Sequence, residues 1–475
     1  MIFASLAFLL YFFPVVFLVY HLLFFSRPLQ NCWLLIASLL FYAWGEPVYV
    51  LIMIGSILAN SLFGKLVTGR SSSAKRFWLV ISAIANLSVL FVFKYLDFVL
   101  ESLSIFGVPK IQTGLTLPIG ISFFTFQAIS YVVDCYRGDT TPENPFYVGL
   151  YIAFFPQLIA GPIVQFNSVA DQIRNRRVNI DLIAIGVCRF TCGLAKKILL
   201  ANTFSAIVDN IFSWSLIGSD KLQVPVMLAW VGSISYTLQI YYDFSGYSDM
   251  AIGLALMFGF EYSENFNYPY SADSMTDFWR RWHISLTDWF RDYVYIPLGG
   301  NRNRNQDMMV RNMFIVWLLT GIWHGANWTF IFWGLANFAL ILGERFIDYD
   351  KRVRNPIIRH VLCMLMVNFL WVIFRADNLY QAGIFLRNML GTNNNGFYSD
   401  LAILYLRENA VFFIAGVIFA KPVARKFNER LFKFAGSVEN VIFSVMYPFI
   451  MTFLLVICVS YLAMGTYNPF IYFNF

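Results

Sequence analysis

The chain has 475 residues, of which 59% are hydrophobic, 19% aromatic and only 13% charged, with a formal net charge of +7 and a mean hydropathy of +0.63. Soluble proteins carry about 25% charged residues, so half that share excludes a water-exposed surface over most of the chain. Repeated apolar runs near the ~20 residues that cross a ~30 Å hydrocarbon core place it among all-α polytopic membrane proteins. The basic excess suits loops that face anionic headgroups. There is no block of five like charges and no nucleic-acid motif, so the lipid bilayer is the expected partner and nucleic acid is not. The six cysteines lie in or beside apolar runs without a CxxC pair. They read as buried small hydrophobes, and no metal is expected.

In chain order, residues 2–25 are apolar apart from His21 and carry no basic n-region or small-residue cleavage site, which predicts a retained first span. The apolar stretch 31–64 is interrupted by Gly45-Glu46-Pro47 and predicts helix, turn, helix. Lys65, Arg70, Lys75 and Arg76 form the first basic loop. The positive-inside rule makes this loop and Arg27 cytoplasmic and the N-terminus extracytoplasmic. Spans follow at 77–98 and 118–135. In 147–166, Pro156, Gly161 and Pro162 interrupt an apolar run. Backbone groups freed there cannot be satisfied by hydrocarbon, so the segment reads either as a re-entrant loop buried in protein or as a kinked span.

An amphipathic segment over 179–200 ends in Lys196-Lys197; further apolar segments cover 203–218, 223–242 and 246–260, then 312–343, 360–374, 409–420 and 440–464, for ten to twelve crossings in all. Several look short or broken. No internal repeat is evident, which weakens a transporter built on duplicated halves.

The chemistry-bearing residues concentrate in the stretch from Asp273 to Asn337, which holds two of the four histidines. Phe278–Tyr293 reads as one amphipathic helix opened by a capping box at Ser274-Met275-Thr276-Asp277. Phe278, Trp282, Leu286, Trp289 and Tyr293 share one face. Arg280, Thr287 and Arg291 lie opposite, with His283 on the seam. The turn Pro297–Arg304 carries Arg302 and Arg304 and suits either phosphate binding or a solvated surface.

His324 is the sharper signal. Between Arg311 and Glu344 it is the one acid or base. A straight helix over that run would measure about 48 Å, so a break is expected where Gly321 and Gly325 flank it. An ionisable group at membrane depth is by default a functional candidate, and neutral imidazole suits a general base. Asn327 and Trp323 beside it serve either as packing or as substrate contacts. Upstream, Tyr241–Asp249 holds two acids and several hydroxyls and reads as a turn joining two helices. No GxSxG elbow supports a Ser-His-Asp hydrolase.

Seven segments together resemble the membrane-bound O-acyltransferase family, in its bacterial polysaccharide branch: LPIGISFFTFQAISYVVDCYRG (117–138), FPQLIAGPI (155–163), GLAKKILLAN (193–202), YDFSGYSDMAIGLALMFGF (242–260), ENFNYPY (264–270), FWRRWHISLTDWFRDYVYIPLGGNR (278–302) and GIWHGANWTFIFWG (321–334). The resemblance implies one integral membrane domain over 1–475. Its core is 117–334, with N-terminal spans in 1–116 and C-terminal spans in 335–475. About 10–12 transmembrane helices, with re-entrant or interfacial helices, would surround a central funnel in the bacterial cytoplasmic membrane.

The implied activity is transfer of an acetyl group from a cytoplasmic thioester to hydroxyls of an extracytoplasmic polysaccharide, such as an alginate-like exopolysaccharide. His324 and His283 take the catalytic positions of the resemblance. The donor would be acetyl-CoA, used as a substrate with no bound cofactor. Arg280, Arg281, Arg302 and Arg304 are placed by charge and position as contacts to its phosphates. A periplasmic or membrane-anchored esterase-like protein would finish the transfer. Acetylation of peptidoglycan or cellulose and D-alanylation of teichoic acid are alternatives, as is a polysaccharide or lipid transporter.

Overall fold

The computed structural model describes residues 1–69, 71–104, 106–107, 109, 112–214, 224–300, 306–423, 426, 446–465 and 467–471. Among these the secondary structure is helical, without a strand, and the protein is an all-α polytopic membrane protein. Two helices among the described residues, Ser72–Ser104 and Pro356–Arg375, are long and apolar enough to cross a bilayer by themselves. The pair Asp400–Glu408 and Ala410–Phe419, bent by 69°, makes a possible third span, and Phe8–Leu22, Val50–Leu66 and Tyr447–Ala463 are apolar but shorter. Many segments that hydropathy marks as crossings are therefore short or interrupted helices. Among the described residues, π-helical turns lie at Phe8–Phe12, Phe91–Tyr95, Lys196–Ala201 and Arg291–Tyr295, a local widening that often marks functional sites.

The chain forms two compact units, Met1–Phe190 with Tyr247–Ser263, and Thr191–Gly246 with Glu264–Phe475. In the first unit, helices Arg27–Gly45 and Val50–Leu66 flank the Gly45-Glu46-Pro47 interruption as expected. Helix Ile121–Arg137 is buried along most of its length and stops at Gly138, whose φ of 84° is the left-handed C-cap. Helix Pro145–Ala153 is capped by Asn144 and gives way to a buried non-helical stretch over 154–164.

This is the buried loop of the two readings left open, not a kinked helix. Its backbone is satisfied from within the protein: Phe155 N–H donates to Ser38 Oγ at 3.1 Å, and Val164 C=O accepts from Tyr151 OH at 2.7 Å. The Gln157 amide donates to Tyr151 C=O. Gly120 has φ 75°, and a Cβ there would stand 2.5 Å from Leu158 O, so only glycine lets the loop pack this closely.

In the second unit the expected turn over Tyr241–Asp249 is absent. A single 32-residue helix, Val226–Met257, runs through it, its residues beyond Gly246 being counted with the first unit. The polar residues do not need a turn because their partners come from the side: Lys197 Nζ lies 2.6 Å from Asp243 Oδ1. Gly246 serves close packing rather than bending, since a Cβ there would sit 2.8 Å from Gly193 O.

The expected break at His324 is present. Helix Gln306–His324 ends on that residue, and Trp328–Phe346 begins after the Asn327 N-cap. The two helices pack as a hairpin through glycines. A Cβ on Gly321 would lie 2.6 Å from Phe330 O, and one on Gly334 2.5 Å from Trp317 O. Helix Pro356–Arg375, capped by Asn355, packs against the second arm.

Candidate active site

The segment read as one helix over Phe278–Tyr293 is instead two short helices, Met275–Trp279 and Ile284–Phe290, followed by the π-turn. The cap is as expected, with Ser274 Oγ accepting from Asp277 N–H at 3.1 Å. Glu344 adds a carboxylate at the same end, accepting from Thr276 N–H at 3.0 Å and Thr276 Oγ1 at 2.9 Å, where the helix dipole favours negative charge.

The break falls on His283, whose φ of 46° is left-handed, at a cost of about 1–3 kcal/mol for a non-glycine residue. Residues 265–267 impose it. Ile284 N–H donates to Asn265 C=O at 3.0 Å, and Asn267 N–H to Arg281 C=O at 2.9 Å. The apolar face largely holds, with Phe278, Trp282, Leu286 and Trp289 buried and Arg280, Thr287 and Arg291 exposed. His283 is not on the seam. It is 1% exposed.

Asn265, which sequence reasoning passed over, fixes the state of that imidazole. Its Oδ1 accepts from Ser285 N–H at 3.3 Å and Ser285 Oγ at 2.9 Å, and lies 3.1 Å from His283 Nδ1. An oxygen that faces a backbone N–H is an acceptor, so Nδ1 carries the proton and Nε2 the lone pair. Nε2 is buried and has no hydrogen-bond partner among the described residues. His283 lies outside the spanning helices, and burial pushes its pKa down to about 3, which keeps the ring neutral and proton-accepting. Its ring meets Phe244 edge-on at 4.6 Å. In the sequence, the signal for Asn265 is its place in the ENFNYPY run (264–270).

His324 is 6% exposed and held by rings. Trp333 stands edge-on at 5.0 Å and Phe374 at 5.2 Å. Trp323, its chain neighbour, is 5.9 Å from the His283 ring, so one indole touches both imidazoles. Around them Trp282 packs on Trp371 at 4.9 Å, Trp371 stacks on Trp333 at 5.9 Å, and Trp279 Nε1–H donates to Asn337 Oδ1 at 2.9 Å. These rings bury both imidazoles among apolar groups, and a low-dielectric surrounding strengthens any charge interaction inside.

The remaining candidates divide. Asn327 is engaged at both ends, its oxygen accepting from Thr329 N–H at 3.0 Å and its amide donating to Asp377 C=O at 2.8 Å, so it frames the hairpin. Arg281 pairs with Asp277 at 2.9 Å, and Arg280 is exposed. Arg302 and Arg304 lie outside the described residues. The two acids of Tyr241–Asp249 are both ion-paired, Asp243 with Lys197 and Asp249 with Arg189 at 3.0 Å. Among the described residues no cluster of His, Cys, Asp or Glu could hold a metal.

The family model for membrane-bound O-acyltransferases matches residues 136–380. The probable alginate O-acetylase of Pseudomonas aeruginosa is 44% identical over 80% of this chain and 73% of its own length. The peptidoglycan O-acetyltransferase of Helicobacter pylori is 37% identical over 83% of this chain and 80% of its own. The teichoic acid D-alanyltransferase of Bacillus subtilis is 28% identical over 50% and 61%.

Proposed function

The chain belongs to the membrane-bound O-acyltransferase family and is an acyltransferase; from that premise we propose that it moves an acetyl group from acetyl-CoA in the cytoplasm onto hydroxyls of an extracytoplasmic polysaccharide, an alginate-like exopolysaccharide before others. The observation that carries the proposal is the pair of buried imidazoles touching one indole, His283 with a free Nε2 lone pair and His324 at the tip of an otherwise apolar hairpin. His324 takes the proton of the attacking hydroxyl as its oxygen forms a bond to the thioester carbonyl. The C–S bond then breaks, and the imidazolium returns the proton to the thiolate. His283, neutral, accepts a hydrogen bond from the hydroxyl through Nε2 and orients it. Trp323 lies between the two rings, and Asn327 keeps the hairpin tip in place.

The donor phosphates are assigned to Arg280, Arg281, Arg302 and Arg304, with charge as the argument. The core at 117–334 holds the chemistry within one domain of the bacterial cytoplasmic membrane, with the N-terminus periplasmic. A periplasmic or membrane-anchored esterase-like protein completes delivery to the polymer. The Helicobacter pylori relative favours peptidoglycan as the second acceptor. The test is His324→Ala in cells that make the polymer. The protein should accumulate in the membrane while ester content falls to background, and wild-type ester content would remove the base assignment. Which purified polymer carries the lost esters separates exopolysaccharide from peptidoglycan, and loss of the polymer itself would point to a transporter.

A further inference from the structure

We propose that residues 467–471 form a strap that, anchored on the buried Lys197–Asp243 pair, holds the elements behind both imidazoles in register, which makes Lys197, Asp243 and Tyr467 positioning residues for the transfer. The inference rests on the reading of His283 and His324 as reacting groups.

Lys197 is 3% and Asp243 1% exposed, and they pair at 2.6 Å. Each is also bonded to the strap. Ile471 N–H donates to Asp243 Oδ2 at 2.8 Å, Lys197 Nζ donates to Pro469 C=O, and the Phe470 ring centroid lies 5.7 Å from Lys197 Nζ. Asn202 Nδ2 donates to Asn468 Oδ1 at 3.1 Å, and Tyr467 OH to Asp209 Oδ2 at 3.1 Å. Five successive residues are thus held to partners in three helical segments.

Both ends of the strap reach the site at one remove. Asp243 precedes Phe244, whose ring packs on His283 at 4.6 Å. Asp209 pairs with Arg375 at 3.0 Å, and Arg375 follows Phe374, whose ring packs on His324 at 5.2 Å. A buried ion pair adds little net stability over apolar residues of the same size. Holding one backbone arrangement is the role its geometry supports, because each charge, besides pairing with the other, is bonded to strap backbone. Gly246 lets the Asp243 helix approach the Lys197 segment closely enough for the pair to form, a Cβ there meeting Lys197 N at 3.2 Å. A misplacement of about 1 Å at reacting groups is enough to slow a positioned reaction by roughly a hundredfold.

The experiment follows thiol release from acetyl-CoA by the full-length protein in membranes containing the acceptor polymer. It compares Lys197→Met/Asp243→Leu with Lys197→Met/Asp243→Asn. Both remove the charges together, so neither strands a buried ion, and they differ in whether Ile471 N–H keeps an oxygen acceptor. The leucine double variant should lose about tenfold in kcat at unchanged KM for acetyl-CoA, and the asparagine double variant distinctly less. Equal kcat in the two double variants, or a loss confined to KM, overturns the strap. Should neither accumulate, Tyr467→Phe/Asn468→Ala decides: a fall in kcat supports the strap and a wild-type kcat overturns it. His324→Ala, run alongside, keeps the two ideas apart. If it abolishes thiol release while the strap variants are wild-type, only the strap fails. If it turns over normally, the base assignment fails.

Discussion

His324 and His283 carry the same side chain, yet the protein holds them by opposite means. His324 closes a helix in an apolar hairpin and is fixed by the rings of Trp333 and Phe374, with glycines letting the two arms touch. His283 sits in a break between short helices, in a left-handed backbone conformation, and is fixed by hydrogen bonding to Asn265. Ring packing sets where a residue is. A hydrogen bond to an obligate acceptor sets the tautomer as well. The second arrangement suits a group that keeps a lone pair in a fixed direction.

The sharpest break of this contrast is chemical. His324→Ala should reduce acyl transfer by about a thousandfold, the scale of a lost general base, whereas His283→Ala should cost roughly tenfold to a hundredfold, as befits a group that orients rather than transfers; equal losses in ester content would erase the distinction. Next comes the hairpin. Gly334→Ala forces a Cβ within 2.5 Å of Trp317 O and should destabilise the protein by about 1–3 kcal/mol, the usual cost of overpacking, seen as a lower melting temperature in detergent. Gly343→Ala, on the same helix with open space around the site, should not.

On the hydrogen-bonded side, Asn265→Leu leaves the His283 and Ser285 donors without their acceptor and should cost about 1–3 kcal/mol, while Asn265→Asp keeps the oxygen and should raise the His283 pKa through its added charge. A pH titration of acyl transfer would show that rise as an acid limb moved upward.

The smallest effect is on stability against pH. Burial holds His283 near 3 in the folded protein, but an unfolded histidine titrates near 6.5. The unfolded chain therefore takes up the proton first. This contribution to stability is complete above about 6.5 and is lost progressively as pH falls toward 3. His283→Gln should flatten that part of the melting-temperature profile, and an unchanged slope would mean that the ring is more accessible than its burial indicates.

The hairpin and its break were legible because the signal is local: a single titratable residue in a long apolar run, flanked by glycines. The Ser274 cap was legible for the same reason. The His283 break was not, because it is imposed by backbone pairing with residues 265–267, and helical periodicity through Phe278–Tyr293 carries no trace of that pairing. The turn expected at Tyr241–Asp249 failed for a related reason. Clustered polar residues in an apolar context suggest a loop unless their partners are known, and Lys197 is far upstream. What the face pattern did predict, buried aromatics opposite exposed arginines, survives the break because each short helix keeps its own phase.

The buried loop over 154–164 has a consequence for how the chain enters the membrane. Ser38, Gly120 and Tyr151, which receive it, all precede it in the sequence. As the loop leaves the ribosome, Ser38 and Gly120 have preceded it and Tyr151 emerges with it, so every group named here that receives it is made before or together with it, which favours its direct passage into buried contacts. Lys197 and Asp243 face the reverse order, since residues 469–471, which complete their surroundings, are made long after them. Synthesis should therefore yield a first unit that is settled early and a second that stays unfinished until the last helices arrive, a sequence that pulse-labelled protease protection can follow.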